Sequence, residues 1–371
     1  MKLQPFKAEQ WINDHENDCK YNLTESCVQP FKMDELLNLL GIKDKYIENL
    51  LNTTLDYGPI NGSEDLKLQI SKLYESVSID NIALAQGGNN ANMLVFMELF
   101  DENDEIITFT PSYEQFSSLA KSIHANVISL PLYEDKNWKY DINEIEKYIH
   151  ENTKAIVIIN PNNPTGTVLS ESDCLELVEL ARKYDLYILS DEAYRGMIVE
   201  GYEAKSFADY YEKAIVTSGL SKTYALPALR IGWIVGPKDF IDRIIIRRDY
   251  DIISLSKMND MLAGEVLNQK DKIIKRNLDI CLENRKIIHE WIKTEPHITN
   301  VFTQGTTQLI HYDIDMLSVD FAELIQKETG IFFVPGSCYN AEYHLRLGGG
   351  LNPTILKEGL EEFSKWLRKF D

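Results

Sequence analysis

Midway along the chain, four short stretches alternate in a way that few architectures accommodate. Residues 154–160 read Lys-Ala-Ile-Val-Ile-Ile-Asn, a β-branched apolar run expected to be a buried strand. Dense turn chemistry follows in Asn160-Pro-Asn-Asn-Pro-Thr-Gly166. Ser170 then opens an amphipathic stretch over 171–184, with Asp173 at capping-box distance. Leu177, Leu180, Ala181 and Tyr184 share one helical face there. Residues 186–190, Leu-Tyr-Ile-Leu-Ser, read as the next strand. A strand, helix and strand this closely spaced imply a parallel sheet covered by helices. Further strands are expected at 82–86, 105–110, 213–218 and 230–235.

From about residue 241 the sequence turns long, charged and helical through 292. A smaller α/β section follows, with strands expected at 308–312, 330–334 and 343–347. No internal repeat or Pro/Ser linker interrupts the chain. At roughly 150 residues per domain, 371 residues suggest two or three folding units. The expected division is a large α/β domain over 48–250 and a smaller one. The latter combines 251–371 (linking helix and C-terminal part) with the N-terminal arm 1–47.

Composition narrows the function. At 44% hydrophobic and 26% charged, the chain is neither disordered nor collagen-like. Asp plus Glu is 58 against 38 Lys plus Arg, a formal charge of −20. Such a surface repels phosphate backbones and anionic leaflets, so no nucleic-acid or membrane partner is expected. A local basic pocket for one small anion is compatible with it. Cys19, Cys27, Cys174, Cys281 and Cys338 form no Cys-x-x-Cys pair, and the seven histidines show no paired metal spacing. Reduced thiols and no metal are expected. There is no signal-peptide stretch at the N-terminus, and the apolar run 93–100 is far shorter than the ~20 residues that span a bilayer. A cytoplasmic protein is expected. The sequence has no GxGxxG opening a βαβ unit, no GxxxxGK[ST] and no GxSxG, which argues against Rossmann, P-loop and serine-hydrolase readings.

The unusual residues fall just after strands. Gly87-Gly88 follow the first, Pro111-Ser-Tyr113 the second, Asn163 the third, Asp191 the fourth and Lys222 the fifth. Ligands of open α/β sheets bind outside the carboxyl ends of the strands, so these residues should converge on one crevice. Individually each has a plainer reading. Gly87-Gly88-Asn89-Asn90-Ala91 could expose N–H groups to an anion at a helix end, or be an ordinary strand-to-helix turn. The double-proline loop could fix the Asn163 amide or hold nothing. Asp191, in Ser190-Asp-Glu-Ala-Tyr194, could cap a helix or pair with a cationic ligand atom. Lys222 sits among small and apolar residues, where desolvation frees an amine as a nucleophile; otherwise it snorkels to water. Arg230, eight residues on, could return to the same anion as Gly88 and Ser221.

Read together, these segments resemble the class I/II aminotransferase family of fold type I pyridoxal 5′-phosphate (PLP) enzymes. The resemblance runs in order from about Tyr57 to Arg346. It is most specific at 160–166, at 190–194 and over Ser221–Gly232. It implies a large domain with a mostly parallel, seven-stranded-type sheet covered by helices, plus a smaller α/β domain. It implies that Lys222 holds PLP as an internal aldimine and, once freed, acts as the proton-transfer base. Asp191 would pair with the pyridine nitrogen, and Asn163 and Tyr194 would hydrogen-bond the ring hydroxylate. Tyr113 would stack on the ring. Gly88, Asn89, Ser221 and Arg230 would cradle the phosphate. Tyr57 resembles the tyrosine that reaches the phosphate from a neighbouring subunit, which implies a homodimer with shared active sites. Arg346 resembles the arginine that clamps the substrate α-carboxylate, with Asn163 beside it.

The implied activity is transfer of an amino group between an amino acid and a 2-keto acid. Three departures stand out. Gly219 replaces the usual serine three residues before the lysine. The phosphate turn reads Gly87-Gly88 instead of Gly-Ala. Tyr21-Asn-Leu-Thr-Glu-Ser-Cys27 is closer to a subgroup of capreomycidine-synthase-like enzymes, which use the same cofactor for elimination and cyclisation. The alternative activity is therefore a β/γ-lyase or amino-acid cyclase. A non-catalytic PLP-binding regulator is disfavoured by the short arm before Tyr57 and by the negative charge. Lys257, Arg247 and Arg248 could supply a second, side-chain-binding cation or be solvated helix charges, so no substrate class follows from them.

Overall fold

The structure, a computed structural model, describes residues 3–371. A short β1 (Tyr21–Asn22) lies in the N-terminal arm. Seven strands then form the large sheet: β2 (Ile82–Ala85), β3 (Glu105–Thr110), β4 (Asn126–Pro131), β5 (Thr153–Ile159), β6 (Tyr187–Asp191), β7 (Ala214–Gly219) and β8 (Gly232–Val235). Their spatial order is β2-β8-β7-β6-β5-β3-β4. The run β7-β6-β5-β3-β4 is parallel throughout, and β8 is antiparallel to both its neighbours.

Why these segments became strands follows from their two faces. Ile156, Ile158, Ile188 and Val216 enter the core on one side of the sheet. Ala155, Val157, Leu189 and Ile215 enter the core on the other. Successive side chains of a strand point to opposite faces, so a sheet covered twice needs uninterrupted apolar runs. Each buried Ile or Val contributes roughly 1.5–3 kcal/mol of burial. The helix Glu171–Lys183 crosses between β5 and β6, and its capping box is formed. Ser170 Oγ accepts from the Asp173 N–H at 3.2 Å, and Asp173 Oδ2 accepts from the Ser170 N–H at 3.0 Å.

The second sheet is antiparallel. It contains β9 (Ile298–Asn300), β10 (Thr307–Tyr312), β12 (Val334–Pro335) and β13 (His344–Gly348) in the order β12-β13-β10-β9. β11 (Ile331–Phe332) instead pairs in parallel with β1. The single strand expected at 330–334 is therefore split at Phe333 between two partners. Two further strands had no clear sequence signal. β4 is an edge strand, largely exposed and ending in Pro131, so it lacks an apolar pattern. β9 is only three residues long.

The N-terminal arm links both sheets. Lys7 N–H donates to Glu114 Oε2 at 2.7 Å on the large-sheet side, and Trp11 Nε1 donates to the Phe333 carbonyl at 2.9 Å on the other. Leu23 is then stitched between β11 and β13: its N–H reaches the Phe332 carbonyl and its carbonyl accepts from Gly348 N–H. This docking brings Thr24–Cys27 over the carboxyl edge of the large sheet.

Candidate active site

Five strands deliver their chemistry to that one edge. β2 ends at Ala85, and Gly87 caps the helix Gly88–Leu99 with a φ of 85°. A Cβ at Gly87 would lie 2.7 Å from Arg230 Nη2, so the guanidinium packs directly on this turn. A Cβ at Gly88 would meet nothing within 4 Å, so open space lies in front of it. The first N–H groups of the helix have no partner one turn back, so they, Arg230 and Ser221 offer hydrogen-bond donors to the same cleft. The Gly219 departure has a local cause. A Cβ there would sit 2.9 Å from the Ile231 carbonyl oxygen and 3.5 Å from Gly88 N. Backbone packs on backbone at this point, and a serine would force it apart.

Asp191 closes β6. Its Oδ2 accepts from Asn92 Nδ2 at 2.8 Å and its Oδ1 from the Ala193 N–H at 3.0 Å. Asn92 is held in turn, accepting from Thr217 Oγ1 at 2.5 Å and donating to Gln115 Oε1 at 3.0 Å. Burial raises the Asp191 carboxyl above its ordinary value, and the two donated hydrogen bonds work the other way.

Lys222 follows β7. Its Nζ donates to Ser26 Oγ at 2.8 Å, so the arm and the large sheet meet at this amine. Burial disfavours the ammonium, but Cys27, Tyr194 and the Glu25 carboxylate outweigh it and hold the amine above its ordinary value. Tyr194 lines the same space, its phenol raised by burial.

Arg346, in β13, is 3% exposed. Its Nε donates to the Thr24 carbonyl and to Thr24 Oγ1, each at 3.1 Å. Its Nη1 donates to Tyr339 Oη at 2.6 Å and to Asn163 Oδ1 at 3.4 Å. Among the described residues Nη2 has no partner, and the side chain lines the cleft. A fixed fork with one free edge suits a carboxylate.

Asp191, Lys222, Tyr194, Asn163, Arg346, Tyr113, Gly88, Asn89, Ser221 and Arg230 all line one cleft of about 410 Å³. The structure does not bring Tyr57 into it. That side chain is 75% exposed, beside a separate depression formed by residues 53–58 and 254–258. The three basic side-chain candidates are also elsewhere. Lys257 donates to Asp56 at 2.8 Å, Arg247 to Glu98 at 2.8 Å, and Arg248 is buried against the carbonyls of Leu84 and Ile60. Sequence reasoning missed Asn92, Tyr339 and the arm residues Glu9, Glu16, Glu25 and Ser26. Only the last two lay in a segment already marked as unusual. The lining thus combines the start of the Gly88 helix with Ser221 and Arg230, a buried carboxylate, an amine and a guanidinium with a free edge. That donor set fits PLP: an anionic phosphate, a basic ring nitrogen, an aldehyde and a carboxylate-bearing substrate.

Residues 17–363 match the family described as aminotransferase class I and II. A crystal structure of a PLP-dependent aminotransferase from Streptococcus suis superposes with a TM-score of 0.96 at 34% identity, covering 100% of this chain and 99% of its own. An aspartate aminotransferase of Pyrococcus horikoshii is 27% identical, over 91% of this chain and 92% of its own. Capreomycidine synthase of Streptomyces vinaceus is 24% identical, over 98% of this chain and 94% of its own.

Proposed function

The chain belongs to the aminotransferase class I and II family and is a PLP-dependent transaminase of fold type I, and from that premise we propose that its reaction centres on Lys222. The observation that carries this reading is the meeting of Lys222, Asp191 and Arg346 in one cleft from three separate parts of the fold. When bound, PLP supplies an aldehyde that condenses with amines and a ring that takes up the electrons of a broken Cα–H bond. The residues do the rest. Gly88, Asn89, Ser221 and Arg230 bind the phosphate. Asp191 holds a proton on the ring nitrogen. Asn163 and Tyr194 would hydrogen-bond the ring oxygen, and Tyr113 would stack on the ring. Lys222 Nζ would hold the cofactor through its aldehyde, and once freed the same amine is placed to move the proton of the donor Cα. Arg346 clamps the α-carboxylate and so fixes which Cα bond faces Lys222.

Arg346→Ala should raise the KM for every amino acid, roughly 10²-fold, because a buried charge-assisted pair is lost. Steady-state assays over several donors check this. A loss confined to one donor would contradict an α-carboxylate role. The rival outcome, elimination or cyclisation, is supported by the likeness to capreomycidine synthase. Mixing the holoenzyme with single amino acids decides between them. Pyridoxamine phosphate without ammonia means transamination, and ammonia with the original cofactor spectrum restored means elimination.

A homodimer with shared sites is part of this reading. Tyr57 stands 75% exposed, and Leu51 and Leu55 on the same approach and Tyr250 are 80%, 84% and 93% exposed. Apolar side chains this exposed are suited to burial against a second copy. Tyr57→Phe should weaken cofactor binding roughly ten- to hundredfold by removing a hydrogen bond to a charged group. Fluorescence titration of the apoprotein measures it, and an unchanged affinity would remove Tyr57 from the phosphate site. We place the two units at 48–250 and 1–47 with 251–371. No helix among the described residues is long and apolar enough to cross a membrane, and a cytoplasmic enzyme of amino-acid metabolism fits the reduced cysteines.

A further inference from the structure

The cleft holds more negative charge than its reaction uses. In the reading above, Arg230 meets the phosphate, Asp191 the ring nitrogen and Arg346 the α-carboxylate, while Lys222 does the chemistry. Three carboxylates of the N-terminal arm remain in the lining, Glu9, Glu16 and Glu25. Each is oriented through one oxygen. Glu9 Oε1 accepts from Tyr113 Oη at 2.7 Å, Glu16 Oε1 from Asn22 Nδ2 at 3.0 Å and Glu25 Oε1 from the Cys27 N–H at 2.7 Å. The second oxygen of each has no hydrogen bond among the described residues. None of the three lies within 4.0 Å of a Lys or Arg nitrogen there, although ion pairs are frequent elsewhere in the chain.

An independent observation gives the ligand its other end. Arg346, 3% exposed, presents its unpartnered Nη2 to the same cleft, which calls for a carboxylate. A donor held there by its α-carboxylate would lie in a cleft whose unassigned charges are all negative.

We propose that the preferred amino donor has a cationic side chain, a terminal ammonium or guanidinium, recognised by Glu16 together with Glu9 and Glu25. This rests on the reading of the cleft as the amino-donor site. Burial, then Glu25 and Glu9, raise the Glu16 carboxyl above its ordinary value, the condition of an anion lacking its counter-ion. Burial also opposes the Glu25 charge, and Lys222 is the main group that keeps it ionised. In the reading above Lys222 is committed to the cofactor, so Glu25 has no cation of its own among the lining residues. An anionic side chain fits poorly. The basic residues that could have met one, Lys257, Arg247 and Arg248, are engaged outside the cleft. The aspartate aminotransferases to which the chain is similar are thus a guide to its chemistry and not to its donor.

The test uses the holoenzyme and its visible cofactor band. L-ornithine, L-lysine, L-arginine, L-norleucine and L-aspartate are mixed with it singly, and the concentration for half-maximal spectral change is measured. The basic amino acids should half-saturate at least tenfold lower than norleucine, an uncharged chain of similar length, and than aspartate. Glu16→Gln keeps the shape and removes the charge. It should shrink the ornithine-to-norleucine ratio about tenfold, and a general structural defect would move both donors and leave the ratio alone. Aspartate or norleucine saturating as readily as ornithine, or a ratio unmoved in Glu16→Gln, Glu9→Gln and Glu25→Gln alike, would overturn the proposal alone. A cofactor band that none of the five perturbs would overturn the placement of the donor in this cleft, and the proposal with it.

Discussion

Lys222→Ala should abolish transamination and with it the covalent attachment of the cofactor. The half-reaction rate should fall by at least about 10⁴-fold, the upper range for losing a positioned proton-transfer group. No second amine can take over. The other cations in the lining are Arg230 and Arg346, whose guanidinium groups do not deprotonate in proteins. Borohydride reduction followed by peptide mass spectrometry reads the attachment directly. The wild type should carry a pyridoxyl adduct on the peptide containing Lys222, and the variant none. Binding itself should survive in weakened form, because Arg230, Ser221 and the helix starting at Gly88 are untouched. An adduct that persists in the variant, or turnover near the wild-type rate, would mean that another lysine holds the cofactor. The fold is not at risk in this test: Nζ makes one hydrogen bond, to Ser26, and the β7 backbone that precedes it is held by β6 and β8.

The large sheet was readable because its central strands are covered on both faces. Uninterrupted runs such as 154–159 carry that message in one dimension, and turn residues between them mark the carboxyl edge. The residues following those strands were readable for the same reason, since topology alone sends them to one crevice. What escaped was set by tertiary packing. β4 lies at the sheet edge, where half-exposed residues leave no pattern. The split between β11 and β12 depends on a strand more than 300 residues away, Tyr21–Asn22, pairing with Ile331–Phe332. The acidic face of the cleft escaped similarly. Glu9 and Glu16 belong to a helix and a turn that look solvated in sequence, and only the docking of the arm between Glu114 and Phe333 turns them toward Lys222 and Arg346. Gly219 shows the reverse case. Its departure from the family pattern was visible at once, while its cause, the close approach of Ile231 and Gly88, was not.

Asp191→Asn should lower the rate of Cα proton removal by about 10²–10³-fold, the usual effect of deleting one preorganised electrostatic partner, with less effect on cofactor retention. The amide is isosteric but neutral, so it no longer favours a protonated ring nitrogen, and electrons leaving the Cα–H bond have a weaker sink. The phosphate cradle and Lys222 remain. The pH profile separates this role from a structural one. Burial raises the Asp191 carboxyl above its ordinary value in the free protein. The ionised form is the active one, so activity is present above the Asp191 pKa of the cofactor-loaded enzyme and is lost as pH falls through it; the ring-nitrogen proton beside the carboxylate places that pKa below its value in the free protein. In Asp191→Asn no such group titrates, and the acidic limb due to it should vanish from an already low profile. Asn92 supplies a control at one remove. Its Nδ2 donates to Asp191 Oδ2 at 2.8 Å and favours the carboxylate. Asn92→Leu should therefore raise the Asp191 pKa further and move the acidic limb to higher pH, with the alkaline rate largely preserved. A limb that stays in place in both variants would show that Asp191 does not control the ring nitrogen, whatever the size of the rate loss.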